Sequence, residues 1–496
     1  MKRKYFYIVF SSTLLILFTL MYEGSYAYFN AAISGTGSKK TIVKTNEFKD
    51  IIISNTSVSS SSTLMPGESV STTFTINNPN SVSVCFDLLW DTVKNTFTNK
   101  NDLVITLAKN DNEVNTSSTI FPSSNGETLA SLSIKANTTD TYKLTVTYKE
   151  TDIDQSADMK KTFSGIIVGS LKECTLAGYV SELATTDTTN LAVDDYGNTR
   201  YIGKDPNNYV SFDGDIWRII GVMKDVDDGS GNKEDRVKII RSTSIGDYAW
   251  DTSESSINKG YGVNEWGQAD LMKLLNPGYE SESVGGSLYW NNKSGTCYSS
   301  YSNGTKSCNF TSTGIKDKLK NMLGNAVWNT GANDGVTYTY KNITTSKFYE
   351  LERSTNTGKI CTSGSWCNDT VARTTTWTGK IGLMYPSDYG YATSGGSGAD
   401  RATCLNKELY NWSDSSVSDC YNNDWLFNSS SKYQWTLSSH ASYSSAYLVF
   451  IVDSSGRVDS NIAYFFNGVR PVGYLLPSVG IESGDGSSGN PFTLKS

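Results

Sequence analysis

Histidine is almost absent from this chain of 496 residues, which contains only His440. Ser-His-Asp and Cys-His sites need a histidine as general base, and His440 lies in a serine-rich segment without a nucleophile motif nearby. We therefore interpret His440 as a surface-loop histidine. We expect that the protein is not an enzyme and that it has no catalytic residues and no cofactor.

Basic tracts are also missing, because 43 Lys and Arg residues stand against 50 Asp and Glu residues, for a formal net charge of −7. An acidic chain without a basic stripe is a poor partner for nucleic acid or for an anionic membrane surface. We exclude both as partners. The one short basic cluster, Lys2-Arg3-Lys4, lies at the very start of the chain.

Residues 1–27 have the three parts of a secretory signal peptide. Lys2-Arg3-Lys4 precedes the apolar run Tyr5–Tyr22, and Ser25 and Ala27 are small residues at the −3 and −1 positions of a cleavage site. The alternative is an uncleaved anchor, because residues 5–22 are just long enough to span a bilayer. We predict an exported protein, extracellular or at the cell surface, with residues 5–22 as its one membrane contact if they are not removed.

The Cys-x-x-Cys spacing of zinc sites is absent from the eight cysteines. An even number of cysteines in an exported chain favours disulfides, although the number alone leaves many pairings open. We pair the cysteines that are close in sequence and join the two that remain. The predicted disulfides are Cys297–Cys308, Cys361–Cys367, Cys404–Cys420 and Cys85–Cys174. We predict no metal site.

Helix-forming residues are sparse beside Ser, Thr, Asn, Gly and Tyr, so we predict mostly β structure with a few helices. Before residue 170, apolar and polar residues alternate in several short runs, such as Val84 to Trp90. These runs are typical of an antiparallel β-sandwich of immunoglobulin size. We assign residues 28–170 to the sandwich, residues 171–199 to a linker and residues 200–496 to an α+β domain.

The second domain ends in dense β patterns. The runs Tyr433–Leu437 and Ala446–Val452, followed by a turn and a further run through Phe466, predict an antiparallel sheet. We expect Arg470 to be a buried strut, because the five donors of a guanidinium can join several loop carbonyls. The residues that we interpret as structural are Trp217, Trp435, Gly468, Arg470 and Pro471.

Other patterns in this domain predict a hairpin and two helices. Residues 216–222 and 237–241 read as its two strands, closed by the acidic loop Asp225–Asp235. The loop invites a calcium interpretation, but its spacing fails the EF-hand pattern, and we expect a solvated turn. Apolar residues at helical spacing predict helices over Asn264–Asn276 and Thr313–Trp328.

Aromatic residues are abundant, with 30 Tyr and 11 Trp. Several fall between the regular runs, where their rings can stack on sugars or pack against proteins. The candidate binding residues are Tyr389, Tyr391, Trp412 and Trp425. The wider set of loop aromatics includes Tyr261, Trp266, Tyr289 and Trp290.

Four segments of the first domain resemble the TasA and camelysin family of Gram-positive exported proteins. They are Ser25-Tyr26-Ala27-Tyr28-Phe29, Pro66–Ser69, Phe74–Asn78 and Phe163–Val168. The resemblance covers roughly residues 20–170. It implies a β-sandwich that is cut by a dedicated signal peptidase and that, in several members, assembles into biofilm fibres.

Residues 200–496 resemble an uncharacterised C-terminal domain of exported Gram-positive proteins. The segments that carry the resemblance include Trp217–Val222, Gly382–Met384, Trp435–Ser439 and Gly468–Val472. That domain is similar to the C-type-lectin-like fold of formylglycine-generating enzymes, which need reactive cysteines near their C-terminal segment. Because no cysteine follows Cys420, the resemblance implies the fold and not the enzymatic activity.

These patterns predict an exported surface or matrix protein with a non-catalytic role in adhesion or ligand binding. The expected partner is a host or matrix glycan or protein. A first alternative is a structural fibre subunit of a biofilm or pilus-like assembly, joined to its neighbour through residues 28–43. A second is a carbohydrate-active enzyme, which needs a carboxylate pair that no sequence feature singles out.

Overall fold

The structure is a computed structural model. It describes residues 30–32, 52–55, 59–63, 66–79, 84–114, 116–135, 137–158, 163–172, 174–253, 260–331, 333–334, 340–357, 371, 373–427, 433–442 and 445–496. The chain forms two compact units, unit 1 (Met1–Cys174) and unit 2 (Thr175–Ser496). The predicted signal segment lies outside the described residues. Within the described ranges, no helix is both long enough and apolar enough to cross a bilayer.

Strand accounts for 41% of the structure and helix for 17%, which confirms the predicted mostly β fold with a few helices. The strands of unit 1 are β1 (Asn30–Ala32), β2 (Ile52–Asn55), β3 (Ser59–Thr63), β4 (Ser69–Asn78), β5 (Val84–Asn95), β6 (Leu103–Lys109), β7 (Asn112–Val114), β8 (Thr128–Ile134), β9 (Thr138–Tyr148) and β10 (Phe163–Lys172).

The strands of unit 2 are β11 (Leu191–Val193), β12 (Thr199–Tyr201), β13 (Tyr209–Phe212), β14 (Asp215–Asp227), β15 (Lys233–Arg241), β16 (Asp247–Tyr248), β17 (Ser294–Ser300), β18 (Gly304–Asn309), β19 (Ala326–Asn329), β20 (Asn333–Asp334), β21 (Thr376–Gly379), β22 (Ile381–Gly382), β23 (Tyr433–Ser442), β24 (Ser445–Asp453), β25 (Val458–Ile462), β26 (Asn467–Gly468), β27 (Val472–Tyr474), β28 (Gly480–Ser483) and β29 (Thr493–Lys495). Its helices are α1 (Leu176–Leu183), α2 (Asp270–Leu275), α3 (Asp317–Met322), α4 (Thr345–Glu352), α5 (Pro386–Tyr391), α6 (Arg401–Asn406) and α7 (Asp419–Asn422).

Unit 1 contains two antiparallel sheets that share one apolar core. Their strand orders are β2-β4-β9-β6-β7 and β10-β5-β8. Along β9 the buried residues alternate from Tyr142 to Tyr148, as the period of two in the sequence predicts. Trp90 of β5 and Leu132 of β8 belong to the same core as these β9 residues. Two sheets that each bury one face against the other form a β-sandwich.

Three of the four predicted disulfides fall within the described residues, and all three are formed. They are Cys85–Cys174, Cys297–Cys308 and Cys404–Cys420. The second closes the hairpin of β17 and β18, and the third joins α6 to α7. The fourth predicted pair, Cys361 and Cys367, lies outside the described residues.

The segment predicted as a linker, residues 171–199, is folded instead. Residues from 175 onward belong to unit 2, where the segment contributes α1 and β11. Thr175 caps α1 by accepting a hydrogen bond from the Gly178 amide, and Leu176 and Val180 are buried in the core of unit 2. The polar residues 185–190, mostly threonines, separate the apolar residues of α1 from those of β11, so no single periodic run is visible in the sequence.

Unit 2 is built on two larger sheets. The first has the order β11-β12-β14-β15-β27-β22, with β13 also paired to β14. The second has the order β16-β26-β23-β24-β25, with β20 also paired to β23. Strands β23, β24 and β25 are antiparallel neighbours, which confirms the sheet predicted near the end of the chain. The last of these strands ends at Ile462, so the residues through Phe466 form a turn instead of extending it.

The predicted hairpin over residues 216–241 is formed by β14 and β15. In its acidic loop the Asp228 carboxylate accepts hydrogen bonds from the Ser230 amide at 2.7 Å and from the Asn232 side chain at 3.1 Å. These donors lower the pKa of Asp228. The loop is therefore an exposed turn, stabilised by its own side chains.

Both predicted helices are shorter than their apolar patterns indicate. Over Asn264–Asn276 the α-helix begins only at Asp270, because Ala269 is in an extended conformation. Over Thr313–Trp328 the helix ends at Met322. The remaining apolar residues join strand β19, where Trp328 lies opposite Trp377 of β21. Pairing with a strand distant in sequence overrides the local helical pattern there.

Candidate functional site

The four aromatic residues predicted to bind a ligand belong to the core of unit 2. Tyr389 and Trp412 are fully buried, and Tyr391 and Trp425 expose 1% and 5% of their surface. The indole of Trp425 donates to the Tyr201 carbonyl oxygen at 2.8 Å. Rings with this burial present no face to a ligand, which corrects the prediction. Tyr389 and Tyr391 belong to α5, Trp412 lies in a short 3-10 helix, and these segments lack regular sequence patterns but are packed inside the fold.

Arg470 is the buried strut that its guanidinium predicts. It is 3% exposed, and it donates from Nε to the Arg241 carbonyl oxygen at 2.8 Å and from Nη1 to the Leu426 carbonyl oxygen at 3.1 Å. Burial, together with the nearby Arg218, lowers the pKa of Arg470 to about 9. The side chain connects loops that are far apart in sequence.

The other residues predicted as structural are buried too. Trp217 and Trp435 are fully buried, and the Trp435 indole donates to the Tyr248 carbonyl oxygen at 2.8 Å. Gly468 belongs to β26, which lies between β16 and β23, and the Pro471 carbonyl oxygen accepts from the Arg241 amide at 2.9 Å.

His440 is not on a surface loop. It lies in β23, is 5% exposed and stacks against Phe450 with ring centroids 5.0 Å apart. Burial, with a smaller contribution from Arg373, lowers the pKa of His440 to about 4. The expectation of an exposed histidine was wrong because the serines around it continue a buried strand.

The exposed aromatic side chains of unit 2 gather instead at a different surface, here called the aromatic patch. Its members are Tyr261, Tyr301, Tyr447, Tyr464, Phe465 and Phe466. Four of them are large hydrophobic residues with high exposure, from 38% at Tyr261 to 49% at Phe466. Contiguous exposed rings of this kind mark interaction surfaces in soluble proteins.

Tyr261 is the centre of the patch. Its ring lies 5.5 Å from Tyr301, 5.1 Å from Tyr447 and 5.7 Å from Tyr464, measured between ring centroids. The Tyr464 ring in turn contacts Phe465 at 4.6 Å. These contacts hold the rings against one another, and four of the six side chains still expose 38% to 49% of their surface.

A buried carboxyl group holds the segment that carries Tyr261. Asp251, 2% exposed, accepts hydrogen bonds from the Val263 amide at 2.6 Å and from both the amide and the hydroxyl of Ser253. Gly262 lies beside it with a φ of 81°, and a Cβ there would be 2.2 Å from the Asp251 carbonyl oxygen. Only glycine fits this approach.

Asp270 lies close to Asp251 and supports the same loop. Its carboxylate accepts from the Thr252 amide at 2.8 Å and from the Thr252 hydroxyl at 2.7 Å. Burial and the charge of Asp270 raise the pKa of Asp251. Because hydrogen bonds from the loop backbone occupy this carboxyl pair, we assign it a role in positioning Tyr261.

Tyr301 reaches the patch from the turn between β17 and β18, which the Cys297–Cys308 disulfide closes. Two main-chain hydrogen bonds attach the turn to the Tyr261 region: the Ser302 amide donates to the Gly260 carbonyl oxygen, and the Asn303 amide donates to that of Thr252. The disulfide therefore supports the patch through this hairpin.

Lys306 is the cation beside the patch. Its ammonium group lies 5.3 Å from the Phe466 ring centroid and 4.6 Å from that of Tyr248, and it donates to the Asp247 carbonyl oxygen at 2.6 Å. Partial burial lowers the pKa of Lys306, although Asp247 opposes the change. These cation–π contacts fix the edge of the surface near Phe466.

Of the patch residues, only Tyr261 belongs to the wider set of loop aromatics that the sequence supplied. The run Tyr464-Phe465-Phe466 was assigned to a strand, although three consecutive aromatic residues cannot all face one buried side. That run of three aromatic residues was the one feature of the sequence that could have indicated an exposed aromatic surface. Nothing in the sequence places Tyr301 beside it.

Among the described residues, no group of three or more His, Cys, Asp or Glu side chains is arranged to hold a metal ion. Comparison with protein-family models, with curated proteins and with solved structures finds no match to this chain.

Proposed function

We propose that this chain is an exported, non-catalytic binding protein and that the aromatic patch of unit 2 holds a glycan. The observation that carries the proposal is the patch itself, in which Tyr261 and Tyr301 expose ring faces next to two further tyrosines. Aromatic faces carry negative potential and pack well on the C–H faces of sugar rings. Tyrosine hydroxyls add donors and acceptors for sugar hydroxyl groups.

The size of the patch favours a glycan over a folded protein partner. Six aromatic side chains, none more than half exposed, offer roughly 400 Å² when each contributes part of its 150–250 Å². A stable protein interface buries about 800 Å² on each partner. A short stretch of polysaccharide fits the smaller area.

Export is part of the same proposal. The three disulfides support an oxidising compartment, in line with the signal peptide predicted from residues 1–27. The likeness of unit 1 to the TasA and camelysin family, and of unit 2 to C-type-lectin-like domains, remains a prediction. Under the proposal unit 1 tethers or assembles the protein and unit 2 displays the patch.

A glycan array tests the proposal on residues 28–496, purified under oxidising conditions. We expect the wild type to bind a subset of glycans and the Tyr261→Ala/Tyr301→Ala variant to lose at least about 10-fold in affinity, since each ring contributes about 1 kcal/mol or more. Val193→Ala is the control, because Val193 is an exposed hydrophobic residue of unit 2, at 59%, outside the patch. Absence of any glycan ligand, or equal losses in the patch variant and the control, would contradict the proposal.

A further inference from the structure

Unit 2 has a second surface feature, a cleft of about 530 Å³ that shares no residue with the aromatic patch. One part of its lining comes from the β14–β15 hairpin. The rest includes Tyr196, Asn329, Tyr349, Arg353 and Tyr474. A cleft of this volume is the size of a small-molecule site, so the chemistry of its lining indicates what it can hold.

Three side chains of the cleft form a stacked column. The rings of Tyr196 and Tyr349 lie 3.9 Å apart with an interplanar angle of 18°, and the Arg353 guanidinium carbon lies 3.4 Å from the centroid of the Tyr349 ring. Two groups this close to one ring must occupy opposite faces. Tyr349 therefore holds the guanidinium in place from one side.

Arg353 keeps unused donors in the cleft. Its Nη1 donates to the Tyr349 carbonyl oxygen at 3.2 Å and to the Glu352 carboxylate at 3.1 Å. Throughout the described part of the chain, no group accepts a hydrogen bond from its Nε or Nη2. The side chain is 24% exposed. A guanidinium edge with free parallel N–H groups matches the two oxygens of a carboxylate.

Glu352 does not fully satisfy this cation. Its carboxyl group is 1% exposed and also accepts from the amide and the hydroxyl of Ser387. Burial raises the pKa of Glu352 to about 7, although Arg353 opposes the change. Glu352 therefore divides its hydrogen bonds between Ser387 and Arg353, and it engages only Nη1 of the guanidinium.

Neutral donors accompany the guanidinium. Among the residues that the structure describes, neither the Tyr474 hydroxyl nor the Asn329 side-chain amide donates to a protein group, and both residues line the cleft. The hairpin adds Lys224 and Lys233 but also two aspartates, Asp225 and Asp227. The two lysines and two aspartates of the hairpin cancel formally, so Arg353 gives the residues that line the cleft a net positive charge.

We propose that this cleft binds a small ligand through a carboxylate held by Arg353, with the Tyr474 hydroxyl as second donor and the Tyr196 ring against the ligand's body. The site has one guanidinium, and the lysines and aspartates of the hairpin cancel in charge. It therefore matches a ligand with one negative charge better than a phosphate dianion. Two sources supply such a group, an acidic saccharide and the C-terminus of a peptide. Both present a carboxylate on a body that fits the cleft volume.

Isothermal titration with full mature protein, residues 28–496, tests this. The probes are glucuronate with glucose as its uncharged counterpart, and N-acetylalanine with its amide. We expect at least one carboxylate to bind about 10-fold or more tightly than its neutral counterpart, and the stronger probe identifies the source. If each carboxylate and its neutral counterpart bind equally, or if none binds, the proposal is wrong.

Variants distinguish a loss of ligand binding in the cleft from a loss of folding. Arg353→Gln should lose at least about 10-fold in affinity for the carboxylate probe, and Tyr474→Phe should lose a few-fold while it keeps the ring. Val193→Ala, which changes an exposed side chain outside both the cleft and the aromatic patch, should bind the probe as the wild type does. A thermal midpoint measured alongside shows that each variant is folded. Unchanged binding by both cleft variants would overturn the assignment.

Discussion

The aromatic patch and the buried rings of Tyr389, Tyr391, Trp412 and Trp425 contain similar side chains in the same unit, yet their surroundings differ completely. The buried rings contribute to the packing of the unit, with indole donors satisfied by main-chain carbonyl groups, as at Trp412 and Cys404. The patch rings leave their faces in solvent and are held by loops. The comparison teaches that exposure, and not residue type, separates rings that fold this protein from rings available to a ligand.

The largest expected change in stability comes from replacing one of the buried rings. Trp412→Ala removes a fully buried indole, and the cavity left behind should lower the free energy of unfolding by about 3–5 kcal/mol. Urea denaturation followed by circular dichroism measures this loss. A loss below about 1 kcal/mol would mean that the ring is not part of a close-packed core.

Removing the buried charge of Asp388 should lower stability by a comparable amount. Asp388, 1% exposed, pairs with Arg200 at 2.7 Å and with Lys238. Asp388→Asn leaves the buried Lys238 without its anion and Arg200 with Asp194 alone, so we expect a loss of about 3–5 kcal/mol in the free energy of unfolding. Urea denaturation at pH 7 checks it. Asp400→Asn, which changes an exposed helix cap, is the control with a loss of no more than about 0.5 kcal/mol, because Asn caps a helix about as well as Asp.

The same carboxyl group predicts an acid-dependent part of stability. Burial alone would raise its pKa, but Lys238 and Arg200 overcome burial and lower the pKa of Asp388 from 3.8 to about 2. The unfolded chain therefore binds this proton first, and about 2 kcal/mol of stability present above pH 4 is lost as the pH falls to 2. Unfolding curves between pH 5 and 2 should show this slope in the wild type. An equal slope in Asp388→Asn would exclude Asp388 as its source.

Much of the fold follows from local patterns, because a period of two and a buried face predict strands such as β9 and β24. The strut role of Arg470 follows from the chemistry of its side chain. The structures of residues 171–199 and of strand β19 could not be predicted in this way. The apolar residues of the first are divided by a polar stretch, those of the second fit a helix, and in both cases contacts distant in sequence decide the structure. The patch combines three loop segments with strand β24, and no local pattern indicates that Tyr261 and Tyr301 are neighbours.

The Cys297–Cys308 disulfide should affect both the stability of the protein and its affinity for a glycan. Cys297→Ser/Cys308→Ser opens a short loop of the β17–β18 hairpin, so we expect a loss of about 2–3 kcal/mol in the free energy of unfolding. Glycan affinity should fall with it, because Tyr301 loses its fixed position. Cys404→Ser/Cys420→Ser is the control, since that disulfide joins α6 to α7 and should lower stability without changing the affinity of the folded protein.

The measurement that tests the central claim most directly is Tyr301→Ala, assayed for both urea stability and glycan affinity. Tyr301 is 47% exposed, so the free energy of unfolding should change by no more than about 0.5 kcal/mol, while affinity falls about 5-fold or more. A stability loss of several kcal/mol with unchanged affinity would contradict the account, because it would make the patch a part of the core and not a binding surface.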